Sequence, residues 1–237
     1  MTHTHHRRGT QESLEKDFVV LAMIDPAVTA QHTYREAMQG RVKRFLEICG
    51  RHHPVALGAR TPDRRLRYLK GWDAAMDSGI HRAARLQDIT TCEDIEGIGH
   101  AVYADKHDVI DLLEELRAAD LGFSIVVSGV FEEVFDACKQ VGLEPHTVNM
   151  SLGTWGKTER LPKGPVLELC TMCGHAMIAP TLAETLLDRV ARGVTTPEAT
   201  AVELGKQCTC NIFNTVRATE IIRRHTLEQA LPSGQPG

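Results

Sequence analysis

Two close cysteine pairs constrain this chain more than any other feature. Cys-Thr-Met-Cys-Gly-His occupies 170–175 and Cys-Thr-Cys-Asn occupies 208–211, with thirty-four residues between Cys173 and Cys208. Each pair is held by a short turn, so a segment that folds back between them brings Cys170, Cys173, Cys208 and Cys210 to one point. Four thiolates at one point are the donor set of a zinc site or an iron–sulfur cluster, and spacing does not choose between them. A close pair is also the form of a redox-active dithiol.

The segment between the pairs has helical periodicity. Leu182, Leu186, Leu187 and Val190 recur at helical steps over 178–192, and Gly193 follows as a stop signal. Thr196 caps a second helix, with Pro197 at its first position, running to about Leu204 before Gly205. Asn211 opens a third, with Ile212, Val216 and Ile222 on one face. So placed, both pairs are expected near helix N-termini, where unpaired N–H groups and the dipole favour thiolates. His175 is expected to hydrogen-bond a sulfur, because four cysteines already complete the ligand set.

The run Arg192-Gly193-Val194-Thr195-Thr196-Pro197-Glu198-Ala199, then Glu203-Leu204-Gly205, Cys208-Thr209-Cys210 and Arg217, resembles the small helical [2Fe-2S] domain of bacterioferritin-associated ferredoxin. The likeness covers about fifty-five C-terminal residues. The two cysteine spacings are exchanged, since that family has Cys-x-Cys first and Cys-x-x-Cys last. The resemblance implies that Cys170, Cys173, Cys208 and Cys210 are the ligands and that the cluster is most simply [2Fe-2S]. A [4Fe-4S] cluster uses the same four ligands and stays open, as does zinc.

The chain has 237 residues, 42% hydrophobic content and a net charge of −4, enough for a sizeable core and without the basic surplus that would point to nucleic acid. No stretch reaches eighteen uninterrupted apolar residues, and the first dozen residues are polar, with His3, His5 and His6 in what reads as a disordered tail. Seven cysteines, four of them clustered, suit a reducing compartment better than a disulfide framework. The expectation is a cytoplasmic protein with no membrane segment.

Upstream, the apolar run 17–24 reads as a strand buried on both faces. A long amphipathic helix follows over 29–51, carrying Tyr34, Met38, Val42, Phe45, Leu46 and Cys49, with Cys49 in the core. A short strand is expected at 54–57, and one or two helices over 61–94, the first with a basic face of Arg64, Arg65, Arg67 and Lys70. Strands at 100–104, 123–129 and 147–152 alternate with helices that start after Asp105 and at Val130, a β-α-β-α-β succession. With the opening strand and helix this gives an α/β (α+β) fold, either a ferredoxin-like split β-α-β core or a small doubly wound sheet.

The loop Gly153-Thr154-Trp155-Gly156-Lys157-Thr158 places an indole and an ammonium group after a strand, as a candidate wall of the cluster or of a substrate pocket. Ser128-Gly129-Val130-Phe131 is a strand-to-helix turn of the kind that can hold an anion. His100, His107, His146 and Asn149 are isolated polar candidates, and no nucleophile elbow, phosphate loop or dinucleotide fingerprint is present. The expected organisation is a tail over 1–13, an α/β domain over 14–160, a helical cysteine-ligated domain over 161–228 and a tail over 229–237. Its expected work is one-electron transfer with a redox partner protein. The alternatives are a cluster-dependent enzyme binding a small-molecule ligand between the two domains and a zinc-stabilised interaction domain.

Overall fold

A computed structural model describes residues 7–24, 40–76 and 81–230 of the chain. His3, His5 and His6, the segment over 29–39 expected to open the long helix with Tyr34 and Met38, and residues 231–237 lie outside the described residues. The strands are β1 (Phe18–Ile24), β2 (Ala56–Arg60), β3 (Arg65–Leu69), β4 (His81–Ala83), β5 (Glu96–Tyr103) and β6 (Phe123–Ser128). They form one mixed sheet in the order β4-β3-β2-β5-β1-β6.

β1 lies between β5 and β6 and is antiparallel to both, so β5 and β6 run parallel to each other with β1 between them. Helix α4 (Lys106–Ala119) connects β5 to β6. β2 is antiparallel to β5, hence parallel to β1, and α2 (Arg41–Arg51) lies in the connection between those two. Two split β-α-β units therefore interleave in one sheet. The doubly wound parallel alternative is excluded, because β1 pairs antiparallel on both sides.

Alternation along the strands sorts side chains to two faces. Phe18, Val20, Leu57, Ala101 and Tyr103 meet α2, α4 and α5 (Phe131–Gln140) through Phe45, Leu46, Cys49, Leu112, Val134 and Cys138. Val19, Leu21, Ala56, Leu69 and Val102 face the other way, against Ile212, Trp72 and Cys210. Both faces of β1 are buried, which is why its sequence is an unbroken apolar run. Cys49 is fully buried and Tyr103 Oη donates to its carbonyl at 2.9 Å. Cys49→Ala is expected to cost about 1–2 kcal/mol in a urea titration, as a small core side chain would.

The C-terminal helices are α6 (Gly164–Thr171), α7 (Pro180–Ala191), α8 (Pro197–Gln207) and α9 (Thr215–Ala230), which enclose their own core. A dense polar joint ties them to the rest. Arg217, fully buried on α9, donates to Asp17 Oδ2 at 2.7 Å, Ser13 Oγ at 3.0 Å and the Arg8 carbonyl at 2.6 Å. Arg7 also pairs with Asp17, and Asn214 Nδ2 donates to the Lys16 carbonyl at 2.8 Å.

Three expectations are corrected. Residues 7–13 are not a loose tail: Thr10 caps α1 (Gln11–Leu14), Ser13 is buried, and Arg8 N–H donates to Thr171 Oγ1 at 3.0 Å. The basic stretch after 61 opens as β3, followed by β4 and the short α3 (Leu86–Thr90), rather than as a helix. Leu66 is buried toward α2 while Arg67 and Leu69 are buried toward the C-terminal helices, a period of two. Residues 147–152 form no strand: they alternate polar and apolar but pair with no neighbour in the sheet.

Candidate metal centre

The four cysteines of the two pairs are gathered between the sheet's second face and the C-terminal helices. Cys208 and Cys210 place their sulfurs 3.5 Å apart, and Cys208 also hydrogen-bonds Cys173. Cys170 is near enough for the charge of Cys173 to act on it. Cys173 and Cys208 are buried, whereas Cys170 and Cys210 are half-buried.

Local backbone explains the approach. After Cys173, Ala176 takes a left-handed φ of 52°, and the N–H groups of His175 and Met177 turn back to the Cys173 sulfur. After Cys210, Asn211 takes a φ of 60°, a region asparagine tolerates, and the Ile212 N–H reaches the Cys210 sulfur. Asn211 is locked there because its Nδ2 donates to the carbonyls of Leu57 at 3.0 Å and Tyr68 at 2.8 Å, on β2 and β3.

The cysteines sit at helix C-termini, not at the N-termini expected from the sequence. Cys170 lies in the last turn of α6 and Cys208 caps α8. Helix α8 runs past Gly205, which packs so closely on Leu69 and Phe213 that a side chain there would collide. The third helix begins at Thr215, with Asn214 Oδ1 accepting from Arg217 N–H at 3.0 Å as its cap, so Ile212 stays in the loop and meets the sheet.

A C-terminal carbonyl end disfavours a nearby thiolate. Arg67 offsets it: the buried guanidinium donates to the carbonyls of Gly205 at 3.1 Å, Lys206 at 3.2 Å and Cys208 at 3.0 Å, and stacks 5.0 Å from the Trp72 ring. This residue was hidden in the sequence within a run of basic residues.

Sulfur acidities follow from these contacts. Burial pushes the Cys170 thiol up to about 11, with Glu184 and Cys173 adding to it. Cys208 is held protonated, chiefly by donating toward Cys173 and Cys210. Those hydrogen bonds lower both acceptors against the opposing effect of burial, helped by the His175 and Met177 N–H groups at Cys173. At Cys210 the Ile212 N–H, the His175 side chain and the charge of His100 add to the lowering. His175 therefore reaches the Cys210 sulfur. His100, on β5, faces Gly58 across the β2–β5 pair, where any Cβ would strike the imidazole.

Among the described residues no three or more His, Cys, Asp or Glu side chains surround a common point as an ion site. Three of the four sulfurs, those of Cys173, Cys208 and Cys210, form a hydrogen-bonded chain. Its 3.5 Å Cys208–Cys210 spacing is close to the ~3.8 Å edge of a tetrahedron with metal–sulfur bonds of about 2.3 Å. That one pair is thus spaced as two ligands of a tetrathiolate group are, with Cys173 in contact with Cys208 and Cys170 beside Cys173.

The other candidates lie elsewhere. Trp155 is 82% exposed, with its Nε1 donating to the Leu152 carbonyl at 3.1 Å, and Lys157 is exposed beside it, so neither walls a pocket as expected. His146 bonds Ser124 Oγ at 3.2 Å on β6, and His107 bonds Asp105 at the start of α4. No described helix is long and apolar enough to cross a membrane. No protein-family model, curated protein or solved structure matches the chain.

Proposed function

We propose that this chain holds an iron–sulfur cluster on Cys170, Cys173, Cys208 and Cys210 and exchanges single electrons with a partner protein. The observation that carries this reading is the continuous line of sulfur contacts from Cys173 through Cys208 to Cys210, with N–H groups of His175, Met177 and Ile212 directed at its two ends. Donors aimed at sulfur stabilise a charged thiolate set and tune the potential of what it binds. A cluster bound there supplies a one-electron centre.

The chain's own residues do the rest. Arg67 cancels the carbonyl end of α8 beside Cys208, and Asn211 fixes the loop that carries Cys210 to the sheet. Burial of Cys173 and Cys208 keeps water from one side, while half-buried Cys170 and Cys210 leave the other within reach of a partner. The likeness to bacterioferritin-associated ferredoxin favours [2Fe-2S]. The interleaved β-α-β units fit a ferredoxin-like α/β part that serves as the platform for a helical ligand-bearing part. All seven cysteines are free, in keeping with a reducing, cytoplasmic setting.

The test is the ultraviolet–visible spectrum of anaerobically purified protein with iron, sulfide and zinc per chain. About two iron and two sulfide with visible charge-transfer bands are expected, and about four of each would change the cluster to [4Fe-4S]. Zinc alone, in a colourless protein that cannot be reconstituted with iron and sulfide, overturns the reading and leaves a structural metal site.

A further inference from the structure

β6 closes one side of the sheet, and β1 is its one strand neighbour among the described residues. Its sequence, Phe-Ser-Ile-Val-Val-Ser, contains no charge and no proline, and all six residues are only half-buried. Proteins that stay monomeric usually blunt such an edge with charge, proline or a covering element. Beside β6 runs 147–152, Thr-Val-Asn-Met-Ser-Leu, with the alternation of a strand but exposed along its whole length. His146, just before this stretch, bonds Ser124 on β6 at 3.2 Å, and a groove of about 940 Å³ lies alongside, lined by Ile125, Val127, Phe135, Val148 and Met150.

The surface here is unusually apolar. Met23, Phe131, Phe135, Val148, Met150, Leu152 and Trp155 are between 37% and 82% exposed, and Phe131 stacks on Phe135. At roughly 200 Å² for a large side chain, they leave roughly 700–800 Å² per chain in water. That is close to the ~800 Å² that each partner contributes to a standard stable interface. No residue from 147 to 156 is charged.

We propose that a second copy of this chain covers this surface, the 147–152 stretch of each copy adding as a strand to β6 of the other. Among the described residues, one chain carries both an edge that lacks a strand and a strand-patterned stretch that lacks an edge. Two copies related by a twofold axis satisfy both needs twice with one contact. The same packing covers Phe131, Phe135, Val148 and Met150.

The test is the mass of the full-length protein by sedimentation velocity over a range of concentrations, for the wild type and for Val148→Asp/Met150→Lys. These side chains are 46% and 63% exposed, so the charges are compatible with the folded chain, which circular dichroism checks. Leu152→Asp, at an 81% exposed position, is the second variant should the first misfold. The wild type is expected to be a dimer, and the folded variants to weaken it by about a hundredfold or more. A monomeric wild type overturns the proposal, including one that copurifies with an apolar small molecule in the groove. So does a dimer that the charged variants leave intact.

Discussion

With the cluster bound as proposed, Cys208→Ser is expected to weaken its retention by more than about 10–100-fold, the effect of losing only a group that hydrogen-bonds a ligand, and so to leave little iron per chain. The reason is position: Cys208 is fully buried and in contact with both Cys173 and Cys210, so a weaker donor there disconnects the two pairs. The helical core around Leu186, Ile221 and Ile222 and the sheet beneath are expected to keep their circular dichroism signal. Metal analysis and the visible spectrum check the result. Full metal content with an unchanged spectrum would remove Cys208 from the ligand set.

Asp17→Asn is expected to destabilise the fold by about 3 kcal/mol, read as a drop in the urea midpoint, because it leaves the buried Arg217 guanidinium with only the Glu168 carboxylate, 3.9 Å away, as counter-charge. Burial opposes ionisation of Asp17, but the charges of Arg7 and Arg217 outweigh it and hold the carboxyl below its ordinary value. A depressed folded value means that the unfolded chain binds a proton first on acidification. The stability from Asp17 is therefore complete above the unfolded value, about 3.9, and is lost as pH falls from there through the folded value. The variant is expected to lack that part of the acid limb. An acid limb identical to the wild type's would show that the pair is not what acidification breaks.

Where local pattern and tertiary use agree, the sequence could be read. β1, α4 with its Asp105 cap, and α8 with Thr196 and Pro197 at its start all lie close to where periodicity and capping put them. The four cysteines could also be read as one group. What could not be read is what the group rests on. Arg67 looks like one more solvated cation until β3 is seen to bury it against α8, and only the alternation of Arg65, Leu66, Arg67, Tyr68 and Leu69 signals a strand. Asn211 and Asn214 matter through carbonyls more than a hundred residues away, which no local pattern encodes. The failure at 147–152 is of the opposite kind: the pattern of a strand is present, and no strand among the described residues pairs with it.

Two of the four cysteines are buried and two are half-buried. Traffic with the site is therefore one-sided. A chelator, an oxidant or an incoming metal meets Cys170 and Cys210 first, and reaches Cys173 and Cys208 only after an outer sulfur has let go. With a cluster held as proposed, the side open to an electron partner is also the side open to damage, so resistance to oxidation and speed of exchange are set at the same two residues and trade against each other.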